Sequence, residues 1–91
     1  MSDTDPSATA KVLLLNDDET TMAFVVQVLE DIFGMTRDEA LKLMLEIHRD
    51  GRGECGVYTV EDASDMAARV DELARRHGFP LRCVVEPNAT V

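Results

Sequence analysis

The amino-acid sequence predicts an α+β sandwich of β-α-α-β-α-β order, with a three-stranded antiparallel sheet and three helices packed on one of its faces. Three observations predict it. Short β-favouring apolar runs occur at three separated places, and between them the apolar residues switch to a spacing of three and four. Glycines stand at the ends of the helical stretches, at Gly34, Gly51 and Gly78. With 91 residues there is chain for one domain and not for two cores.

The first ten residues, rich in Ser, Thr, Asp and Ala, read as a flexible arm, residues 11–87 as the core domain and 88–91 as a C-terminal tail. The first strand runs from Lys11 to Asn16 around Val12-Leu13-Leu14-Leu15 and is stopped by Asn16-Asp17-Asp18, residue types that favour turns and helix starts. A helix follows from Thr20 or Thr21, with Met22, Val25, Val26, Leu29 and Phe33 on one face and Gly34 as its stop. Thr36 opens the second helix, and Glu39 three residues on completes a capping box. Its Ala40, Leu41, Leu43, Met44, Leu45 and Ile47 cover more than half the circumference, which predicts packing on two sides. Gly51 and Gly53 are expected to end it. Cys55 to Thr59 is the second strand, with Val57 and Tyr58 as β-formers. Thr59 and Asp62 suggest another capping box, opening the longest helix, in which Val60, Ala63, Ala67, Val70, Ala74 and His77 keep the helical spacing. Gly78 and Pro80 stop it, and Leu81 to Glu86 forms the third strand before Pro87.

Composition excludes several functions. Hydrophobic residues make up 45% of the chain, ordinary for a globular domain and too many for a disordered one. The formal net charge of −9, from 18 acidic against 9 basic residues, repels a phosphate backbone, so nucleic acid is not an expected partner. No run approaches the roughly 18 apolar residues of a membrane span, and the N-terminus lacks a basic and apolar leader, so a cytoplasmic protein without membrane contact is expected. Cys55 and Cys83 sit in apolar runs as small buried hydrophobes; a disulfide between adjacent strands is an alternative that a reducing compartment disfavours.

Three polar features stand out. Asn16-Asp17-Asp18-Glu19 places an amide and three carboxylates at a helix start, where capping needs only one such residue. His48 lies late in the second helix, in register with Leu41, Met44 and Leu45, whereas His77 is accounted for by a helix C-terminus that favours a cation. Met22, Val25, Met44 and Ile47, on neighbouring helices, have the spacing of core residues and also the composition of an adaptable apolar pocket. No nucleophile elbow, Gly-rich phosphate loop or HExxH is present, so no catalytic residue, metal or cofactor is expected.

Asn16-Asp17-Asp18-Glu19-Thr20-Thr21-Met22-Ala23-Phe24-Val25-Val26 resembles the signature of the ClpS family, the bacterial N-end-rule adaptors. So do Leu43-Met44-Leu45-Glu46-Ile47-His48, Cys55-Gly56-Val57-Tyr58-Thr59 and Gly78-Phe79-Pro80-Leu81-Arg82-Cys83, four co-linear segments between Lys11 and Glu86. The resemblance implies a non-enzymatic adaptor that binds N-degrons, polypeptides led by Leu, Phe, Tyr or Trp, and delivers them to the AAA+ unfoldase ClpA, through its N-terminal domain, for degradation by the ClpAP protease. It implies that Asn16, Asp17 and His48 hold the substrate's α-amino group, and that Thr20, Met22, Val25, Met44, Ile47 and Leu81 line the side-chain pocket. Asp18 would touch substrate at the rim, and Glu61 would lie at the unfoldase interface. Thr21 departs from the family's usual Pro, Ile47 from Val, and Met66 from an expected Lys.

The alternative is an acidic interaction domain of related fold, like the C-terminal domain of the ribosomal stalk, without N-degron binding. A metal-dependent hydrolase would need further ligands beyond one His and the acidic cluster.

By the same resemblance, Met22 helps exclude β-branched first residues. Anisotropy titrations are expected to show Ile- and Val-led peptides binding much more weakly than Leu-led ones. Comparable affinities would refute this role.

Overall fold

The computed structural model describes residues 8–87. The element order is β1 (Thr9–Leu15), α1 (Met22–Asp31), α2 (Arg37–Asp50), β2 (Arg52–Thr59), α3 (Val60–His77) and β3 (Arg82–Pro87). β1 is the middle strand of the order β2-β1-β3 and runs antiparallel to both neighbours. Its alternate residues Ala10, Val12 and Leu14 join the core clusters beneath the helices, as the two-residue period of a strand requires, while Leu13 between them is also buried but belongs to neither cluster. The α+β sandwich is therefore the one expected.

Local chemistry accounts for the helix boundaries. Thr21 caps α1, its hydroxyl accepting from the Phe24 N–H at 3.1 Å. At α2 both halves of the capping box are present: Thr36 Oγ1 accepts from the Glu39 N–H, and Glu39 Oε1 accepts from the Thr36 N–H. Thr59 caps α3 by accepting from the Asp62 N–H at 3.1 Å, a plain cap in place of the expected box. Leu14, Phe24, Val28, Leu29, Ile47 and Val70 form the centre of the main core, to which all three helices contribute. Each fully buried aliphatic side chain there contributes about 1.5–3 kcal/mol. Ala63, with no bulk beyond Cβ, lets the start of α3 lie on Ala10 and Val12 in a second, smaller cluster.

Several boundaries differ from expectation. β1 begins at Thr9, inside the stretch read as an arm, because Thr9 and Ala10 pair with Thr59 and Tyr58. The rest of that arm, residues 1–7, and the tail 88–91 lie outside the described residues. β2 starts at Arg52 and not at Cys55, and α1 ends before Phe33, which still packs against both clusters. α2 packs on two sides, against α1 and against β2, but its apolar circumference extends beyond both contacts: Leu41 is 39% and Leu45 57% exposed. Cys55 and Cys83 are free. They lie on strands that flank β1 and not on adjacent ones, about 9.6 Å apart at the usual strand spacing, beyond the roughly 7 Å reach of a disulfide. Burial raises both thiols, Cys55 to about 12, with Cys83 nearby adding to the shift, and Cys83 to about 11.

Gly51 and Gly53 do different things. Gly51 ends α2 in the left-handed conformation, φ 90°, which glycine adopts without a steric penalty. Gly53 belongs to β2, and a Cβ there would lie 2.6 Å from Ile47 Cγ1 and 2.9 Å from Leu43 Cδ1. The absence of a side chain is what lets β2 press against α2. Gly53→Ala is therefore expected to cost about 1–3 kcal/mol by overpacking. Urea unfolding checks it, and an unchanged midpoint would show that the two elements yield without cost.

Candidate ligand-binding site

The loop between β1 and α1 is held by two sets of hydrogen bonds. The Asn16 N–H donates to the Gly51 carbonyl at 2.9 Å, which fastens the end of β1 to the end of α2. The Asp17 carboxylate then organises the turn that follows. Its Oδ1 accepts from the N–H groups of Glu19 (2.8 Å) and Thr20 (2.7 Å), and its Oδ2 accepts from the Thr20 hydroxyl (2.7 Å). Partial burial pushes the Asp17 carboxyl up, but the hydrogen bonds from Thr20 and Glu19 together outweigh it and hold the pKa below the usual aspartate value.

These bonds place the loop beside α2, and a cavity of about 250 Å³ lies between them. Asn16, Asp17, Asp18, Thr20 and His48 form its polar part; Met22, Val25, Met44 and Ile47 form its apolar part. Val25, Met44 and Ile47 are buried and Met22 is 46% exposed, so the cavity has a fixed apolar floor and one soft wall at its rim. His48 is exposed, in the last turn of α2. Chemically, one end offers lone pairs from an amide, carboxylates and an imidazole, and the other offers hydrocarbon.

The sequence-derived residues thus fall into three groups. Asn16, Asp17, Asp18, Thr20, Met22, Val25, Met44, Ile47 and His48 are brought together. Leu81 is not among the lining residues; at 3% exposed it belongs to the main core. Glu61 is exposed in the first turn of α3, with Met66 partly buried little more than a turn further on. The service that Asp17 and Thr20 perform for each other was missed, although the Asp-x-x-Thr spacing is the pattern of a carboxylate closing a turn on a hydroxyl and two N–H groups. Among the described residues no group of three or more His, Cys, Asp or Glu is arranged to hold a metal ion. Nor is any helix long and apolar enough to cross a membrane.

A cavity with acceptors at one end and hydrocarbon at the other defines a small binding domain for a ligand that is cationic at one end and apolar at the other. Comparison with known proteins narrows the class. The family described as ATP-dependent Clp protease adaptor protein ClpS matches across residues 5–84. The ClpS adapter protein of Nitratidesulfovibrio vulgaris (strain DP4) is 57% identical over 76 residues, 84% of this chain and 73% of that one. That of Phenylobacterium zucineum is 51% identical over 83 residues, 91% of this chain and 76% of that one. Among solved structures, ClpS2 of Agrobacterium tumefaciens bound to L-phenylalaninamide superposes with a TM-score of 0.86 at 36% identity, covering 89% of this chain and 98% of that one. This chain belongs to the ClpS family of ATP-dependent Clp protease adaptors.

The Asp17 hydrogen bonds predict a pH dependence of stability. With its folded pKa lowered, Asp17 contributes stability that is complete above its unfolded pKa of about 3.9 and is lost as pH falls through the lower folded value. Asp17→Asn is expected to lower the urea midpoint at pH 7, and the gap to the parent is expected to close as pH falls through the lowered folded pKa of Asp17. A gap independent of pH would sink the account.

Proposed function

We propose that the cavity captures the first residue of a polypeptide, binding its free α-amino group at the polar end and a bulky apolar side chain, Leu, Phe, Tyr or Trp, at the other. The observation that carries this reading is the convergence of Asn16, Asp17 and His48 on the mouth of a cavity floored by Val25, Met44 and Ile47. At about 250 Å³ it is smaller than the roughly 300–1,000 Å³ of sites for drug-sized ligands, a size suited to one amino-acid side chain. L-phenylalaninamide, the ligand of the Agrobacterium relative, has the same two ends: a free amine and an apolar ring, with an amide standing where a chain would continue.

A terminal ammonium brings three N–H donors. Three of the roughly four lone-pair positions of the Asp17 carboxylate are already occupied by Glu19 and Thr20. One remains, and with the Asn16 side-chain oxygen and a neutral His48 ring nitrogen it supplies three acceptors. An internal Leu or Phe has no ammonium to satisfy them. Asp18, exposed at the rim, adds negative potential to a protein already at −9.

In this reading the captured protein is passed to the unfoldase ClpA, whose N-terminal domain would meet the surface around the exposed Glu61. Membership of an adaptor family supports delivery as the purpose of capture. Neither the fold nor the comparisons favour the ribosomal-stalk alternative.

Acetylating the N-terminus of a Leu-led peptide removes the charge and a donor, leaving acceptors that the bound peptide covers without partners, at about 1–3 kcal/mol. Fluorescence anisotropy should show roughly five- to 140-fold weaker binding, by the usual conversion of about 1.4 kcal/mol per decade, and Asn16→Ala should weaken the free peptide in the same direction. Equal affinity for free and acetylated peptides would reject the reading.

A further inference from the structure

Beside the cavity, the two helices α1 and α2 leave a second concavity between them, a groove of about 470 Å³. Its floor is Met22, Ala23, Val26, Leu41 and Met44, and its far end is closed by an ion pair from Arg37 Nε to Glu30 Oε2 at 2.8 Å. Met22 and Met44 line both concavities, so groove and cavity are one continuous apolar surface. Met22, Leu41 and Leu45 are large apolar side chains left 46%, 39% and 57% exposed along it or next to it. That exposure costs free energy unless something covers it, and surface apolar residues in a contiguous strip mark a contact region.

We infer that the α1–α2 groove extends the binding site and takes the apolar side chains of the second to fourth residues of the bound polypeptide. The inference rests on the capture of a chain's first residue in the cavity. A chain held by that residue must continue out of the cavity, past a lining of Asn16, Asp17, Asp18, Thr20 and His48 on the polar part and Met22 and Met44 on the apolar part. Of these, Met22 and Met44 also line the groove, so the continuation onto hydrocarbon passes over them. From Met22 to Glu30 the helix rises about 12 Å, the length of three to four extended residues at about 3.3 Å each. Groove length and exit direction therefore match the segment that follows the anchored residue. The groove raises affinity for substrates whose first few residues are apolar, the kind of segment a damaged or truncated protein exposes.

The test uses the whole chain with two Leu-led peptides, one with Ser and one with Leu or Val at its second to fourth positions, and with leucinamide measured by calorimetry. The apolar peptide is expected to bind about fivefold more tightly than the Ser peptide. Leu41→Gln and Ala23→Gln, at exposed positions and with good helix formers, are expected to erase that gain while leaving leucinamide binding unchanged. Equal affinities for the two peptides, or a gain that survives both substitutions, would overturn the inference. Leucinamide separates this from failure of the cavity itself: if it binds and no gain is seen, only the groove is wrong, whereas if it does not bind, both readings fall. Sedimentation showing a dimer that Leu41→Gln dissolves would assign the groove to a second copy of the chain and also overturn the inference.

Discussion

The hydrogen bond from the Asn16 N–H to the Gly51 carbonyl, 2.9 Å long, is the joint on which the ligand site depends. A strand that ends must dispose of its next N–H, and a helix that ends leaves carbonyls without partners. Here the two deficits meet. Gly51 can hold its carbonyl in position because it adopts the left-handed conformation that turns α2 back towards β2. The bond contributes only about 1 kcal/mol net, yet it sets Asn16, Asp17 and His48, from elements far apart in sequence, around one opening. Pre-organisation of this kind matters more to a small site than its contribution to stability, since a ligand of one residue has little energy to spend on ordering its receptor.

Within the site, polar and apolar parts are built differently. The polar end is rigid: three hydrogen bonds fix the Asp17 carboxylate, and a capped helix starts four residues later at Thr21. The apolar end includes two methionines, whose unbranched side chains can fit a flat ring or a branched aliphatic group in the same space. In the proposed reading, rigid acceptors select for an amine while the soft wall tolerates different apolar side chains. The core beneath enforces this, because Ile47 faces the cavity and is also wedged against Gly53 of β2. Repacking the sheet would reshape the site.

Most of the fold was legible because it is written in short-range signals. The capping box at Thr36 and Glu39, the glycine stops and the switch from strand to helix spacing all act within a few residues of each other. What was illegible depends on contacts distant in sequence. Thr9 and Ala10 are not an apolar run, and they become strand only because Thr59 and Tyr58 pair with them. Gly53 looked like a helix stop, and its reason is the flank of α2. The apolar circumference of α2 suggested two packed sides, and α1 and β2 supply them, but Leu41 lines the groove and Leu45 is exposed, outside the core. Among the site residues, nine come together around the cavity while Leu81 falls in the core behind it, a difference of depth that residue type and position cannot express.

Cys55 and Cys83, on either side of the central strand, carry a practical consequence. With pKa values pushed up to about 12 and 11, they hold almost no thiolate at neutral pH, and thiolate is the form that alkylating reagents attack. Labelling is therefore slow at both, and slower at Cys55, which is buried, than at Cys83, which is only partly so. The chain comes with two native reporters of its own breathing, readable by mass spectrometry after alkylation, with Cys55 the stricter of the two because it is buried.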